Sequence, residues 1–378
     1  MLGPVYFYVI IGGGLAGLQL ARQLSRDVFF KGKKIAIIDS DFSMPVKTWC
    51  FWEKGDGKWD HLLTKSWNEG KFISSEENIN LQLSPYSYKM IKAADYHHNL
   101  QEEIEKSGDI EFITDEIQKI DPVTMKAKGR KKSYGATHFF DSRIDPSYLE
   151  SKKHTTIFQH FKGWEVATEK PVFSPDSFTM MDYRIKYPDA TAFTYILPFT
   201  EKKALVEYTF FSPFLTEDKV YDDMLQKYFE KVLKTKDFTI KSTETGVIPM
   251  TDFPFDKANT RQITKIGTGG GWVKPSTGYS FKNTEKRINR IIENIKSGKL
   301  PGENLINNKF RKYDAIFLDV LTQNNQKGEE IFSKFYTKNS PQEIFKYLDE
   351  ETSVSEDLKI MLSIYSFDFV KSFFRKTL

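Results

Sequence analysis

A single acidic side chain interrupts an otherwise apolar run, Ala204-Leu-Val-Glu-Tyr-Thr-Phe-Phe-Ser212. Side chains alternate between the two faces of a β-strand, so Glu207 shares one face with Leu205, Thr209 and Phe211. A carboxylate is costly to bury unless it is paired, protonated or lines a cavity. Glu207 is therefore either a strand-edge residue that reaches solvent or an arginine, or part of the lining of a cavity.

A second carboxylate lies on a predicted strand in Met180-Met-Asp-Tyr-Arg184. Asp182 is expected either to couple to Glu207 or to form a surface pair with Arg184. The first arrangement would bring two carboxyl groups into one site, whereas the second would be structural.

A glycine pattern near the start of the chain fits the G-x-G-x-x-G signature. Gly12-Gly-Gly-Leu-Ala-Gly17 follows a buried strand, Val5–Ile11, and opens a helix; a second strand ends at Asp39, close to the expected spacing of about 20 residues. This context predicts that Asp39 accepts a ribose hydroxyl and that the helix start binds a pyrophosphate through Gly12, Gly14, Leu15, Ala16 and Gly17. The alternative is a structural glycine turn. Because no basic residue follows Asp39, FAD or NAD is expected rather than NADP.

A second glycine cluster, Lys265 to Gly278, favours FAD over NAD. A short strand, a glycine loop and a helix start would place backbone N–H groups beside the far end of a long cofactor. The alternative is a sheet-to-helix turn capped by Ser276 or Thr277. The residues of this cluster expected to contact the cofactor are Gly267, Gly269, Lys274, Pro275, Ser276, Thr277 and Gly278.

Composition limits the function classes. The chain has 378 residues and a net charge of +4, with lysines and glutamates interspersed, which argues against nucleic-acid binding. One cysteine, Cys50, and six unclustered histidines give no disulfide framework and predict no metal site. Adjacent His97 and His98 would point to different sides of a helix. No run spans a bilayer, and Met1–Tyr6 lacks signal-peptide features, so a cytoplasmic protein is expected.

The elements that must position these residues form a mixed pattern. A βαβ unit at the start, alternating strands from 156 to 211 and a helix-rich end predict an α/β fold, α+β overall, with a Rossmann-type domain, an antiparallel sheet and C-terminal helices. Residues between Trp49 and Trp67 are expected to be a loop. Further elements are expected at 72–90, 95–106, 110–113, 119–126, 138–141 and 219–233.

Several motifs together resemble the bacterial lycopene β-cyclase family over nearly the whole chain. They are Gly12–Gly17, Lys47-Thr-Trp-Cys-Phe-Trp-Glu53, Phe140-Asp-Ser-Arg143, Gln159-His-Phe-Lys-Gly-Trp164, Met181-Asp182, Leu197-Pro-Phe199, Leu205-Val-Glu207, Gly246-Val-Ile-Pro-Met250, Lys274-Pro-Ser-Thr-Gly-Tyr279, Phe317–Leu321 and Phe345–Asp349. The set is specific, although any single motif is not.

The resemblance implies a fold similar to p-hydroxybenzoate hydroxylase and geranylgeranyl reductases. It implies a split FAD-binding domain at 1–66, 90–150 and 262–290, a substrate domain at 67–89 and 151–261, and a helical region at 291–378. It adds Lys47, Thr48, Trp49, Asp141 and Arg143 to the expected cofactor contacts. The family's usual arginine before Thr-Trp is Lys47 here, which keeps the charge but not a bidentate contact.

The implied reaction closes the linear ψ ends of lycopene into β-ionone rings, through γ-carotene to β-carotene, with no net redox change. Glu207 would be the catalytic acid with Asp182 beside it, over reduced FAD that NADH or NADPH supplies with electrons. The substrate would arrive from the inner membrane surface, with Phe367 to Lys376 as a peripheral contact of a monomer or an oligomer.

Two other function classes remain open. One is an FAD-dependent prenyl-chain reductase or monooxygenase of the same fold, and the other is a non-catalytic carotenoid-binding flavoprotein. Hydroxylase relatives carry Gly-Asp where this chain has Gly267-Thr268, which argues against an ordinary monooxygenase.

Overall fold

The computed structural model describes residues 5–43 and 46–377, so Met1–Pro4 of the N-terminal segment considered above lie outside it. Its strands are β1 (Val5–Ile11), β2 (Ile35–Asp39), β3 (Thr48–Lys54), β4 (Lys65–Trp67), β5 (Glu69–Ile73), β6 (Asn78–Gln82), β7 (Tyr86–Lys92), β8 (Ile110–Thr114), β9 (Ile117–Asp121), β10 (Lys126–Gly129), β11 (Ser133–Asp141), β12 (Thr156–Thr168), β13 (Ser177–Asp182), β14 (Thr191–Thr200), β15 (Lys203–Ser212), β16 (Phe238–Thr251) and β17 (Ile263–Lys265). Its α-helices are α1 (Leu15–Arg26), α2 (Ala93–Glu105), α3 (Asp218–Lys231), α4 (Phe281–Lys296), α5 (Asn308–Gln323), α6 (Gly328–Lys338), α7 (Pro341–Leu348), α8 (Val354–Ser363) and α9 (Phe367–Thr377).

The first sheet has the order β8-β2-β1-β11-β10-β9, with β17 beside β11. Strands β8, β2, β1, β11 and β17 run parallel to one another. At the other edge, β10 pairs antiparallel with both β11 and β9. Strand β1 and residues 35–38 of β2 carry apolar or aromatic side chains on both faces, since α1, α2 and α4 cover one face and a second buried cluster covers the other. The Rossmann-type architecture expected from the glycine pattern is confirmed.

The second sheet has the order β16-β12-β15-β14-β13-β5-β6 and is largely antiparallel. One face packs against α3, and the other packs against the C-terminal helices and a small sheet, β3-β7-β4. On β15, Val206 and Phe210 belong to the α3 side, whereas Leu205 and Phe211 belong to the other. The alternation expected for this strand is therefore confirmed, and β15 lies inside the sheet rather than at its edge.

Three local expectations were wrong. The segment after Trp49 is not a loop: it contains β3 and β4, which both pair with the distant β7, and Trp52 stacks on Phe345 of α7. The expected strand at 119–126 is broken by a turn at 122–125, where Asp121 accepts hydrogen bonds from the backbone of Val123 and Thr124.

The third wrong expectation is the helix start that was predicted in the second glycine cluster. The helix begins at Phe281 rather than at Pro275, because Gly278 adopts φ +76°, a left-handed conformation that interrupts the chain before α4.

The division of the chain into three domain ranges stays a prediction. Within the described residues, no helix has the length and apolar character needed to cross a membrane.

Candidate functional site

The start of α1 leaves space on its outer side. Gly14 is the N-cap, and in the described part of the chain no side chain caps this helix. A Cβ added to Gly14 would meet nothing within 4 Å, whereas one on Gly17 would lie 1.9 Å from the carbonyl oxygen of Gly12. Asp39 at the end of β2 accepts a hydrogen bond from Gly13 N at 2.6 Å. A dinucleotide pyrophosphate fits against Gly14, while Gly17 is needed for helix-to-loop packing.

Asp141 and Arg143, at the end of β11, form an internal ion cluster. Arg143 Nε donates to Asp141 Oδ1 at 2.8 Å, and Lys265 Nζ donates to Asp141 Oδ2 at 3.1 Å. Burial raises the pKa of Asp141, but hydrogen bonds from Arg143 and the Lys265 charge outweigh it, so the net pKa is lowered. A Cβ on Gly269 would lie 2.4 Å from the Arg143 carbonyl oxygen. This cluster fixes the second glycine segment against β11, so the carboxylate already has its partners within the protein.

In the turn at 274–278, Lys274 contacts the C-terminal helices, whereas Thr277 and Gly278 line the cavity described below. Lys274 Nζ pairs with Asp314 at 2.9 Å and Glu350 at 3.2 Å, so its side chain joins the turn to the C-terminal helices and does not line the cavity described below. Thr277 and Gly278 do line that cavity. The buried Thr277 Oγ1 has no hydrogen-bond partner among the described residues, which leaves it free to bond to a cofactor.

A cavity of about 440 Å³ joins the cofactor-side residues to Glu207. Its lining includes Lys47, Thr48, Trp49, Thr268 and Thr277, together with Glu207 and the aromatic side chains of β14 and α6. Five predicted cofactor contacts, Lys47, Thr48, Trp49, Thr277 and Gly278, therefore share one cavity with the predicted acid, whereas the Gly12–Gly17 motif and Asp39 do not line it. Other lining residues include Cys50, Trp52, Tyr88, Phe193, Phe211, Phe332, Phe335 and Tyr336.

Three neighbouring strands place Gly163 between two carboxyl groups. Gly163 of β12 pairs with Glu207 of β15 on one side and with Glu244 of β16 on the other. Directly paired residues point to the same face of a sheet, so both glutamates face the cavity. A Cβ on Gly163 would lie 2.7 Å from Glu207 Cγ and 3.3 Å from Glu244 Cγ. The glycine therefore provides the gap in which Glu207 and Glu244 meet as a carboxyl pair.

The carboxyl pair holds its proton on Glu207. Burial raises the pKa of Glu207 well above its usual range, and the charge and hydrogen bond of Glu244 raise it further. Burial also raises the pKa of Glu244, and hydrogen bonds from Glu207 and the Thr48 hydroxyl offset only part of that rise, so the net pKa of Glu244 is raised as well. Thr48 Oγ1 donates to Glu244 Oε1 at 3.0 Å. The Glu207 O–H therefore donates to the Glu244 carboxylate, and both side chains are only 6% exposed.

This geometry excludes the strand-edge interpretation of Glu207. Glu207 reaches neither solvent nor an arginine; its partner is another carboxyl group. Glu244 was not among the predicted site residues, although it lies two residues before Gly246 and therefore on the same face of β16.

Neutral aromatic side chains surround the carboxyl pair. The Tyr88 hydroxyl lies 2.8 Å from that of Tyr195 and 2.6 Å from that of Tyr279. Burial raises the pKa of all three well above the usual tyrosine range, so they remain protonated. Trp52 meets Tyr279 edge-on, with ring centroids 4.8 Å apart. Such a lining presents electron-rich ring faces to a cation.

Asp182 does not join this site, which corrects its expected coupling to Glu207. Asp182 pairs with Thr194, and Thr194 pairs with Tyr208, whereas the neighbouring Tyr195 pairs with Glu207. The one-residue offset turns Asp182 toward α3, on the opposite face of the sheet. There it is 0% exposed and binds Arg184 and the Tyr228 hydroxyl. The alternative pairing with Arg184 is thus the observed one, although the carboxylate is buried rather than at the surface.

The adjacent histidines of α2, His97 and His98, lie on different sides of the helix, one buried and one exposed. His97 packs inside and stacks on Trp49, with ring centroids 5.8 Å apart, and burial lowers its pKa to about 4. His98 faces solvent beside Glu102. Across residues 5–43 and 46–377, no group of three or more histidine, cysteine, aspartate or glutamate side chains is arranged to hold a metal ion.

The chain resembles known proteins in sequence and in fold. A lycopene beta-cyclase from a Paracoccus species is 27% identical over 169 residues, which cover 43% of this chain and 42% of that protein. A geranylgeranyl bacteriochlorophyll reductase-like protein from Thermoplasma acidophilum has a TM-score of 0.61 at 13% identity, covering 97% of this chain and 98% of its own. A probable FAD-dependent monooxygenase from Pseudomonas aeruginosa has a TM-score of 0.57 at 10% identity, covering 92% and 100%.

The two structural relatives share the fold of this chain, and at 13% and 10% identity the similarity concerns the fold alone. The family model described as Lycopene cyclase protein, by contrast, matches residues 8–376, almost the full length. The chain therefore belongs to the lycopene cyclase family.

Proposed function

We propose that this protein is a lycopene β-cyclase that converts lycopene through γ-carotene to β-carotene. The observation that carries the proposal is the buried carboxyl pair, because protonating an unactivated alkene requires a general acid that is still protonated at neutral pH and is held away from bulk solvent. The family membership supplies the substrate class, and the apolar aromatic lining of the cavity suits a polyene.

Glu207 delivers its proton to C2 of a ψ end group, which leaves a tertiary cation at C1. The C5=C6 double bond attacks that cation, the C1–C6 bond forms and the positive charge moves to C5. Loss of the C6 proton then gives the C5=C6 bond of the β-ionone ring. One proton enters and one leaves, so a carboxyl pair that accepts the C6 proton returns to its starting state. Glu244 keeps the proton of Glu207 available by raising its pKa.

FAD is the proposed cofactor. Gly12, Gly14, Leu15, Ala16 and Gly17 at the start of α1 would hold its pyrophosphate, and Asp39 its ribose. Lys47, Thr48, Trp49, Gly267, Gly269, Pro275, Ser276, Thr277 and Gly278 are the proposed contacts further along it, with Asp141 and Arg143 as support of the second glycine segment. When bound in reduced form, with NADH or NADPH as reductant, the flavin supplies negative charge that stabilises a nearby cation.

The proposed location is the cytoplasmic side of the membrane, with peripheral attachment. Its support is the exposed apolar surface of the last helices, which includes Phe367, together with nearby basic residues such as Lys371.

The test compares Glu207→Gln with a matched control, Glu201→Gln, at an exposed position in the turn before β15. Glutamine keeps the shape and a hydrogen-bonding group but carries no transferable proton. Under anaerobic, NAD(P)H-reduced conditions, Glu207→Gln should lose roughly 10²–10⁴-fold or more in β-carotene formed per flavin, with flavin content unchanged. Wild-type turnover by this variant would mean that Glu207 is not the acid.

The competing function is that of a prenyl-chain reductase of the same fold. A reductase consumes one NAD(P)H for each double bond that it saturates, whereas a cyclase consumes none in proportion to product. Measuring NAD(P)H oxidised per carotenoid converted separates them: a ratio near zero supports cyclisation, and a stoichiometric ratio supports reduction.

A further inference from the structure

A second cavity lies among the C-terminal helices. It encloses about 380 Å³ and is lined mainly by apolar side chains of α5, α6, α7, α8 and α9. Its lining carboxylate, Asp314, is neutralised by Lys274 at 2.9 Å. We call this space the C-terminal cavity. It is suited to an uncharged apolar ligand.

The C-terminal cavity adjoins the catalytic cavity. Four residues line both spaces, namely Thr277, Phe332, Phe335 and Leu348. The two cavities are therefore separated by no more than the thickness of these side chains. Rotation of a phenylalanine side chain such as Phe335 is a small change compared with any backbone movement, and it would join them.

The far end of the C-terminal cavity reaches the protein surface. Leu358, Leu362, Tyr365 and Phe374 line it, yet they are 55%, 69%, 60% and 55% exposed. Large apolar side chains clustered at a surface mark a site of contact with an apolar partner. These four residues form what we call the mouth, between α8 and α9.

We propose that the C-terminal cavity holds the half of a linear C40 polyene that is not reacting, and that the mouth admits this polyene from a lipid bilayer. This inference rests on the proposed cyclase function. A substrate with one end group at Glu207 carries a long apolar chain that must leave the catalytic cavity, and the C-terminal cavity offers an apolar path in contact with it. Because the mouth opens directly into lipid, the polyene never crosses water.

Two variants test the path at different depths. Met361→Trp fills the interior of the C-terminal cavity, and Leu362→Asp places a charge at the mouth. The control is Val123→Asp, which puts the same charge on an apolar residue that is 89% exposed in the turn between β9 and β10. Thermal unfolding and flavin content verify that each protein is folded.

The assay presents three substrates: lycopene in vesicles of phosphatidylglycerol and phosphatidylcholine, lycopene in detergent micelles, and a truncated acyclic polyene with one ψ end. Leu362→Asp should turn over vesicle-borne lycopene roughly tenfold or more slowly, with micellar lycopene much less affected. Met361→Trp should slow both forms of lycopene while cyclising the truncated substrate at the wild-type rate. Val123→Asp should match the wild type throughout.

A readout independent of turnover is the amount of lycopene, measured by its absorption, that co-elutes with Glu207→Gln protein. Met361→Trp in that background should reduce it. If both cavity variants bind and convert vesicle-borne lycopene like the wild type, the polyene does not occupy the C-terminal cavity, and the inference fails. If the wild type cyclises neither lycopene nor the truncated substrate, it is the cyclase proposal itself that fails.

Discussion

At the scale of single residues, the carboxyl pair explains how a glutamate in the proposed acid role can keep its proton at neutral pH. Burial disfavours the ionised form of Glu207, and the adjacent negative charge of Glu244 disfavours it again. The neighbouring groups that set this balance are Thr48, which stabilises the Glu244 carboxylate, and the Lys92–Glu165 pair at 3.3 Å. In the proposed reaction, Glu207 therefore keeps its proton until C2 of a bound ψ end group lies next to it.

Glu244→Gln should move the alkaline limb of the pH–rate profile to lower pH. Removing the neighbouring charge lowers the pKa of Glu207, so the protonated form required for catalysis is lost earlier as the pH rises. The measurement is kcat for β-carotene formation across pH, with Glu201→Gln as the control. An unshifted limb with a uniformly lower kcat would show that Glu244 acts through packing and not through its charge.

Glu207→Gln should also make the protein more stable at alkaline pH. A raised pKa in the fold contributes stability that is complete below the ordinary glutamate pKa of about 4.3 and is lost as the pH rises through the folded-state value. Glutamine has no proton to lose, so the difference in Tm between variant and wild type should widen with rising pH. Parallel Tm curves for the two proteins would contradict the raised pKa.

Glu207 could be found from sequence because a lone carboxylate stands out in an apolar strand. Glu244 could not, because its strand is half-exposed and rich in Ser and Thr, so an acid there looks ordinary. What makes it special is the register that sets Glu207, Gly163 and Glu244 side by side. That register joins residues far apart in the chain, and no local pattern encodes it.

At the scale of elements, the start of α1 contains one glycine that packing requires, Gly17, and one beside open space, Gly14, where we propose that the pyrophosphate binds. A side chain at Gly14 would enter open space, and the backbone there, φ −79° and ψ −166°, is extended and accessible to any residue. A side chain at Gly17 would collide with the Gly12 carbonyl oxygen. Within one motif, Gly17 is therefore required for packing, whereas Gly14 leaves space for the proposed pyrophosphate.

Gly14→Val should fold but be isolated without flavin, because its side chain would occupy the place of the pyrophosphate. Gly17→Val should fail to give folded protein. Circular dichroism reports the folding of each, and absorption near the flavin bands reports the cofactor. Recovery of Gly14→Val with full flavin content would remove the dinucleotide assignment.

Local sequence predicted β1, α1, β2 and β15 well, because each carries a strong apolar period or run. It failed at β3 and β4, where tryptophan and glycine suggested a loop. These strands exist because β7 offers hydrogen bonds and because Trp52 and Trp67 are buried in the adjacent core. Tertiary packing outweighed local preference there.

At the scale of the whole molecule, Lys274 connects the cofactor side to the C-terminal helices. It lies in the turn after the second glycine segment, is fully buried, and binds Asp314 of α5 and Glu350, just beyond α7. The opposing charges offset the desolvation cost of the ammonium, and the net pKa of Lys274 is raised. This ion cluster joins the turn at 274–278, whose Thr277 lines both cavities, to α5 and to the segment after α7.

Lys274→Met should lower the free energy of unfolding by roughly 3–5 kcal/mol, because it leaves Asp314 buried without its partner. Adding Asp314→Leu should restore much of that loss, since an apolar pair replaces the ionic one. Chemical denaturation measures the stability, and absorption measures the bound flavin. If Lys274 acts only as this link, the double variant regains both stability and flavin. A double variant that is stable yet free of flavin would instead place the ammonium in contact with the cofactor, as the sequence motif suggested.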